Sequence, residues 1–280
     1  MQDLEGRSYV VTGANTGIGK ITALELARRG ARVVLACRSA EKTEPVIAEI
    51  AKATGNSRVE FAALDLSDFT SIRACAERMI ASGKPIHALV NNAGLAARGK
   101  TKDGFELTFG TNHLGHYLFT RLLLDHLAKS GPARVVNVSS KAHYQAKAID
   151  WSALEKPTKT ITALDEYAVS KLANILFTKE LARRINGAAV TTYALHPGVV
   201  ATDAWRRIPP PFRWVVKRFM ISPEDGAKTT LYCAADGAVS SETGKYYDEC
   251  KERRPSKLAD DADLARELWT RSAEWVGLPA

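Results

Sequence analysis

Short apolar runs alternate with longer helix-like stretches from residue 8 to residue 194 of this 280-residue chain. Strand-like segments lie at 8–12, 32–37, 59–64, 86–90, 134–138 and 189–194. Helix-like ones lie at 17–29, 40–54, 69–82, 103–129 and 164–185. The first run, Ser-Tyr-Val-Val-Thr at 8–12, reads as a short buried strand. Such alternation demands a parallel sheet with helices on both faces, joined by right-handed crossovers. The expected fold class is therefore α/β, a doubly wound parallel sheet forming one domain over residues 1–280. A sheet of this kind takes its ligand beyond the carboxyl ends of the strands, at the switch point. Two stretches break the pattern, a polar loop at 141–163 and a second at 197–222. The second holds Pro209-Pro210-Pro211 and then Phe212, Trp214, Val215, Val216, Phe219 and Met220 among arginines and lysines. Long loops inside compact domains are commonly functional, and 197–222 is expected to act as a substrate lid. The alternatives are an ordinary packing helix or a membrane-surface contact.

The first strand–helix connection reads Thr12-Gly13-Ala14-Asn15-Thr16-Gly17-Ile18-Gly19. Small residues there let backbone N–H groups approach a phosphate at the helix N-terminus. Alone, the same glycines also make a plain tight turn. The second strand ends Ala36-Cys37-Arg38-Ser39, with no acid to meet a ribose 2′-hydroxyl. Arg38 offers a bidentate fork for a 2′-phosphate instead, so NADP(H) is favoured over NAD(H). Asp65 follows the third strand and either accepts from an adenine amino group or serves the start of the next segment. Asn91-Asn92-Ala93-Gly94 follows the fourth.

Tyr167 and Lys171 stand four residues apart within a helix-like stretch. That spacing puts both on one face. A free phenol titrates near 10, and a neighbouring ammonium lowers that value, which suits the phenol to proton transfer with an alcohol or carbonyl oxygen.

The formal net charge is +8, without a run of six or more like charges, so nucleic-acid binding has little support. Cys37, Cys75, Cys233 and Cys250 are scattered, with no metal-ligand spacing, so neither a zinc site nor a disulfide framework is expected. No stretch is long and apolar enough to span a bilayer, and the start Met1-Gln2-Asp3-Leu4-Glu5-Gly6-Arg7 has no apolar signal core. The expected location is cytoplasmic.

Five ordered motifs now stand together: Thr12-Gly13-x-x-x-Gly17-Ile18-Gly19, Asn91-Asn92-Ala93-Gly94, Val138-Ser139-Ser140, Tyr167-x-x-x-Lys171 and His196-Pro197-Gly198. Together they resemble the short-chain dehydrogenases/reductases over residues 7 to 200. The strings Leu35-Ala36-Cys37-Arg38, Thr111-Asn112-His113-Leu114-Gly115-His116 and Ser170-Lys171-Leu172-Ala173-Asn174 look most like the retinol dehydrogenase-like branch, which also resembles light-dependent protochlorophyllide reductases. The resemblance implies a Rossmann-type fold and a catalytic set of Asn112, Ser140, Tyr167 and Lys171. It implies dinucleotide contacts from Gly13, Asn15, Thr16, Gly17, Ile18, Gly19, Arg38, Asp65, Leu66, Asn92, Ala93, Gly94, Tyr167, Lys171, Pro197, Gly198, Val200 and Thr202. In that scheme Ser140 steadies the substrate oxygen, Tyr167 exchanges the proton, and Lys171 lowers the Tyr167 pKa. Asn112 helps hold a water leading from Lys171 to solvent. Family members pair through helices corresponding to 103–129 and 163–186, which implies a homodimer or homotetramer. The membrane-bound members carry an N-terminal hydrophobic anchor that this sequence does not show, which points away from retinol itself.

The expected activity is NADP(H)-dependent interconversion of a lipophilic alcohol and its aldehyde or ketone. Two alternatives are reduction of a carbon–carbon double bond in a pigment-like substrate, and a non-catalytic dinucleotide-sensing interaction protein. His113, His116 and His143 read as packing or surface histidines, since no partner spacing is evident.

Overall fold

The computed structural model describes residues 3–185, 189–198 and 222–280. Its framework is a sheet of eight strands: β1 (Ser8–Thr12), β2 (Arg32–Cys37), β3 (Val59–Ala63), β4 (Ala88–Asn91), β5 (Ala133–Val138), β6 (Val190–His196), β7 (Lys245–Asp248) and β8 (Lys251–Glu252). They lie in the order β3-β2-β1-β4-β5-β6-β7-β8. All neighbours pair in parallel except β7 and β8, which form a short antiparallel edge. β1 and β4 are parallel neighbours but distant in sequence, so the order in which strands are added reverses between them and opens the switch-point crevice.

The helices are α1 (Gly17–Arg28), α2 (Ala40–Thr54), α3 (Phe69–Ala81), α4, α5 (Leu164–Arg184), α6 (Pro223–Ala235) and α7 (Ala262–Trp275). We use α4 for the continuous stretch made of Leu107–Phe109, a π-helical turn at Gly110–Leu114, and Gly115–Lys129. One face of the sheet packs residues such as Leu26, Val33, Leu35, Ile50 and Tyr193. The other packs Leu89, Phe109, Leu118, Leu172 and Leu176. Both faces are thus covered by apolar packing, as a parallel sheet requires.

Helix ends follow local chemistry. Asp68 caps α3 by accepting from the N–H groups of Thr70 and Ser71 at 3.0 and 3.3 Å. Gly55 closes α2 in the left-handed region with φ of 70°, a conformation that costs glycine little. The helix expected from residue 103 begins at Leu107, after a turn in which Gly104 has φ of 93° and the Asp103 carboxylate accepts from Phe69 N–H.

α7 lies against α4 and α5 through Trp269. The Trp269 ring stacks with Phe177, meets Tyr117 edge-on, and carries the guanidinium groups of Arg121 and Arg184 at 4.6 and 4.5 Å. Any pairing of subunits through α4 and α5 is therefore made with α7 already in place. Among the described residues no helix is long and apolar enough to cross a membrane.

Candidate active site

The carboxyl ends of β1, β4 and β5 and the N-terminal turns of α1 and α5 converge on one crevice. Gly13 bonds back to β2 through its N–H and the Ala36 carbonyl, 2.9 Å, with φ of 63°. A Cβ on Gly13 would stand 2.9 Å from the Ala93 side chain. On Gly19 it would stand 2.6 Å from the Gly13 carbonyl and 2.5 Å from the Asn92 amide nitrogen. The turn after β1 and the Asn92–Gly94 turn after β4 are therefore in direct contact, and neither position has room for a side chain.

Thr16 enters α1 in extended backbone but supplies no side-chain cap, and the first turn holds no acid. The first N–H groups of α1 are left for an acceptor from outside the helix. An oligophosphate fits that demand. Asn15 and Ile18 lie on the same turn, partly exposed. Arg38, at the end of β2, is exposed and makes no ion pair or hydrogen bond among the described residues. Asp65 is half committed: one carboxylate oxygen accepts from both the N–H and hydroxyl of Ser67, at 3.0 and 2.6 Å. Leu66 is buried, its carbonyl against Gly115, where a Cβ would come within 2.4 Å. Asn92 ties back to the Thr12 carbonyl, whereas Asn91 faces the helices and donates to Asn137 and Thr120. These residues fit a nicotinamide dinucleotide.

Tyr167 and Lys171 do share a face of α5. The Lys171 nitrogen lies 5.4 Å from the Tyr167 ring centroid and donates to the Val138 carbonyl at 2.9 Å. Lys171 is buried, and desolvation pulls its pKa down to about 8. The Tyr167 phenol is influenced by the Ser140 hydroxyl, which lowers its pKa. Here the structure departs from expectation. Burial raises the Tyr167 pKa, and the opposing influence is the Ser140 hydrogen bond rather than Lys171. The Lys171 ammonium is itself desolvated and donates to the Val138 carbonyl, and burial outweighs the lowering effect of Ser140 on the phenol.

The two serines divide as the extended strand requires. The Ser139 hydroxyl donates to the Lys171 carbonyl at 2.7 Å, while Ser140 faces Tyr167. Ser140 also caps a short 3₁₀ turn, accepting from Ala142 N–H at 3.2 Å.

Asn112 is fully buried in the π-helical turn of α4. Its amide oxygen accepts from Leu95 N–H, 2.9 Å, and its amide nitrogen donates to the Leu95 carbonyl, 2.8 Å, and the Ser170 hydroxyl, 3.0 Å. The side chain is consequently occupied in holding the loop after Gly94. A Cβ on Gly94 would lie 3.2 Å from Lys171 Nζ and 3.5 Å from Asn112 Oδ1, so these residues enclose one point.

Several contributors were not singled out by sequence. The Thr12 hydroxyl accepts from the N–H groups of Asn92 and Ala93 at 2.9 and 3.0 Å. The histidines read as packing residues are buried and bonded. His143 accepts at Nε2 from Ser256 N–H, 3.1 Å, so its Nδ1–H donates to the Ser140 carbonyl, 2.6 Å. His113 packs among Phe109, Tyr117 and Phe177 and meets the Ser272 hydroxyl at 3.0 Å. His116 bonds to Thr12 and Asn112. Their positions one to four residues from Ser140 and Asn112 were the available signal.

Pro197 and Gly198 follow β6, with Gly198 at φ of 89°. Val200, Thr202 and nearly all of the lid expected at 197–222 lie outside the described residues. Among the described residues no group of acids, histidines and cysteines could hold a metal.

Residues 7–211 match the family model described as short chain dehydrogenase. Retinol dehydrogenase 11 of Homo sapiens is 48% identical over 282 residues, covering 99% of this chain and 87% of its own. Retinol dehydrogenase 13 of Homo sapiens is 44% identical, with 99% and 86% covered. Among solved structures, an uncharacterized protein from Mycobacterium paratuberculosis superposes with a TM-score of 0.81 at 33% identity, covering 100% of this chain and 97% of that one. A 3-ketoacyl-(acyl-carrier-protein) reductase from Brucella melitensis complexed with NADH gives 0.67 at 25% identity, with 88% and 97% covered.

Proposed function

The chain belongs to the short-chain dehydrogenase family and is an oxidoreductase of that type; from that premise we propose that it interconverts a lipophilic alcohol and its aldehyde or ketone, with NADP(H) in preference to NAD(H). The observation that carries the reading is the buried Lys171 with its nitrogen 5.4 Å from the Tyr167 ring centroid, on the side of the crevice where Ser140 acts on the phenol. A bound nicotinamide dinucleotide supplies the hydride donor or acceptor. The remaining work falls to the chain.

In the reducing direction Ser140 donates a hydrogen bond to the carbonyl oxygen and steadies the negative charge that develops there. Tyr167, protonated at neutral pH because burial raises its pKa, delivers a proton to that oxygen. The phenolate left behind faces the Lys171 ammonium, which remains largely charged at neutral pH with a pKa of about 8. Asn112 holds the turn from Gly94 to Leu95 against α4, and its side-chain amide and the Lys171 nitrogen both flank Gly94. The oxidising direction needs the phenol to lose its proton first and is favoured as pH rises.

The preference for NADP(H) is supported by the exposed Arg38, unpaired among the described residues, and the lack of an acid at the end of β2. The lipophilic substrate is supported by relatives named for retinol. The dinucleotide contacts assigned above from Gly13 to Thr202, the lid at 197–222 and a homodimer or homotetramer complete the reading. A cytoplasmic location goes with it, supported by four cysteines that stand as free thiols. Sedimentation velocity tests the assembly; a single-copy mass removes that part.

The deciding experiment is Tyr167→Phe, assayed with NADPH and a panel of long-chain aldehydes, ketones and retinoids. Turnover is expected to fall by roughly a hundredfold or more while NADPH affinity stays within about twofold. Unchanged rates on a good substrate would remove the mechanism.

A further inference from the structure

We propose that His116 is a positioning residue that ties the loop at Asn92–Leu95 to the π-helical turn carrying Asn112, and so fixes the distance between the dinucleotide side and the proton side of the site. The inference rests on the function proposed above.

The loop at 92–95 is pinned at two ends. At one end Thr12 accepts from the N–H groups of Asn92 and Ala93. At the other, Asn112 bonds both the N–H and carbonyl of Leu95. His116 joins the two pins. Its Nε2 lies 2.9 Å from the Thr12 hydroxyl and its Nδ1 lies 2.9 Å from the Asn112 main-chain carbonyl. Without it, the pins belong to β1 and α4, elements separated by about a hundred residues.

Only one protonation pattern closes this ring of bonds. A main-chain carbonyl can only accept, so Nδ1 carries the hydrogen. A neutral ring then leaves Nε2 as an acceptor. The Thr12 hydroxyl already accepts two N–H bonds, and its single hydrogen goes to Nε2 at 2.9 Å rather than to the Val90 carbonyl at 3.4 Å. Every donor meets an acceptor. Burial, with the Lys171 charge adding to it, keeps the ring neutral down to about 4.

The placement gives this link a consequence for the chemistry. Gly94 sits between the pins, and a side chain there would touch both Lys171 and Asn112. A π turn breaks the regular helical ladder and needs outside contacts to hold one geometry. His116 is such a contact, made four residues beyond the residue it steadies.

The test compares three variants. His116→Phe keeps a ring and loses both bonds. His116→Asn places an amide near the Nδ1 position, and His116→Gln near Nε2. With a long-chain aldehyde and NADPH, His116→Phe is expected to lower kcat by roughly ten- to a hundredfold, with the aldehyde KM within about twofold. Because the link needs both bonds, His116→Asn and His116→Gln should each restore only part of that loss. An unchanged kcat in the Phe variant overturns the proposal, as does an equal loss in all three that tracks their melting temperatures. Nitrogen NMR of labelled imidazole gives a readout free of turnover: His116 should be the Nδ1–H tautomer and should not titrate between about pH 5 and 9. An Nε2–H tautomer also overturns it. If the unaltered protein turns over no carbonyl compound, the proposed function fails, while the tautomer still judges His116.

Discussion

The Lys171 ammonium donates to the Val138 carbonyl at 2.9 Å, from a position where its side chain is almost wholly out of water. A strand end thereby holds a helix charge beneath the phenol it serves, and stability becomes dependent on pH. The native pKa is about 8 against an ordinary 10.5. Between these values the unfolded chain binds more protons than the native one, so stability rises with pH across that window. Below pH 8 the full cost of burying the charge is present, on the order of 3 kcal/mol. Urea unfolding at a series of pH values should show a steeper rise from pH 8 to 10.5 for the natural sequence than for Lys171→Met. Parallel curves would mean that Lys171 keeps its ordinary pKa.

Arg38→Asp is expected to weaken NADPH binding by roughly ten- to a hundredfold, the loss of one charge-assisted bidentate contact. NADH should be affected far less. Fluorescence titration of both cofactors checks this, and equal weakening would remove the argument for the phosphorylated form.

Acid should act through a different set of groups. His113 is buried among aromatic rings with its pKa pulled down to about 3, and His116 and His196 to about 4. The ordinary value is 6.5, so below that pH the unfolded chain takes up protons the native fold excludes. Stability is lost as pH falls from 6.5 toward 3. His113→Phe should fall less steeply over this range, measured by denaturant midpoints at several pH values; an unaltered slope would show that His113 accepts its proton in the native fold.

Trp269→Ala should destabilise the protein by about 3–5 kcal/mol, the usual cost of removing a large buried aromatic. The loss includes two cation contacts, from Arg121 and Arg184. Calorimetric unfolding reads it directly. A loss below about 1 kcal/mol would mean that α7 is only loosely attached.

Much of this architecture could be read from the chain. The first strand falls at Ser8–Thr12 as expected, and the Tyr167–Lys171 spacing places both side chains on one helix face. Boundaries moved where a turn competed. Thr101, Asp103 and Gly104 build a bonded turn that delays α4 to Leu107. β7 and β8 were not foreseen, being very short and bearing charge at Lys245, Lys251 and Glu252. The supporting residues of the site were hidden for another reason. Thr12 and His116 meet across 104 positions, and Asn112 reaches Ser170 across 58. Nothing near a histidine in sequence shows which carbonyl the fold will set before it. The upward shift of the Tyr167 pKa was equally illegible, because burial is a property of the assembled crevice.

The two borders of the sheet differ from its interior in a way that bears on behaviour at high concentration. On one side β8 offers two residues, both charged and exposed, so little bare backbone is available to a visiting strand. On the other, five-residue β3 carries Glu60, clamped by Arg32 and Lys84. A second molecule adding in register at either border would have to bury charge beside charge. Fibrous polymerisation by edge-to-edge strand addition is thereby disfavoured.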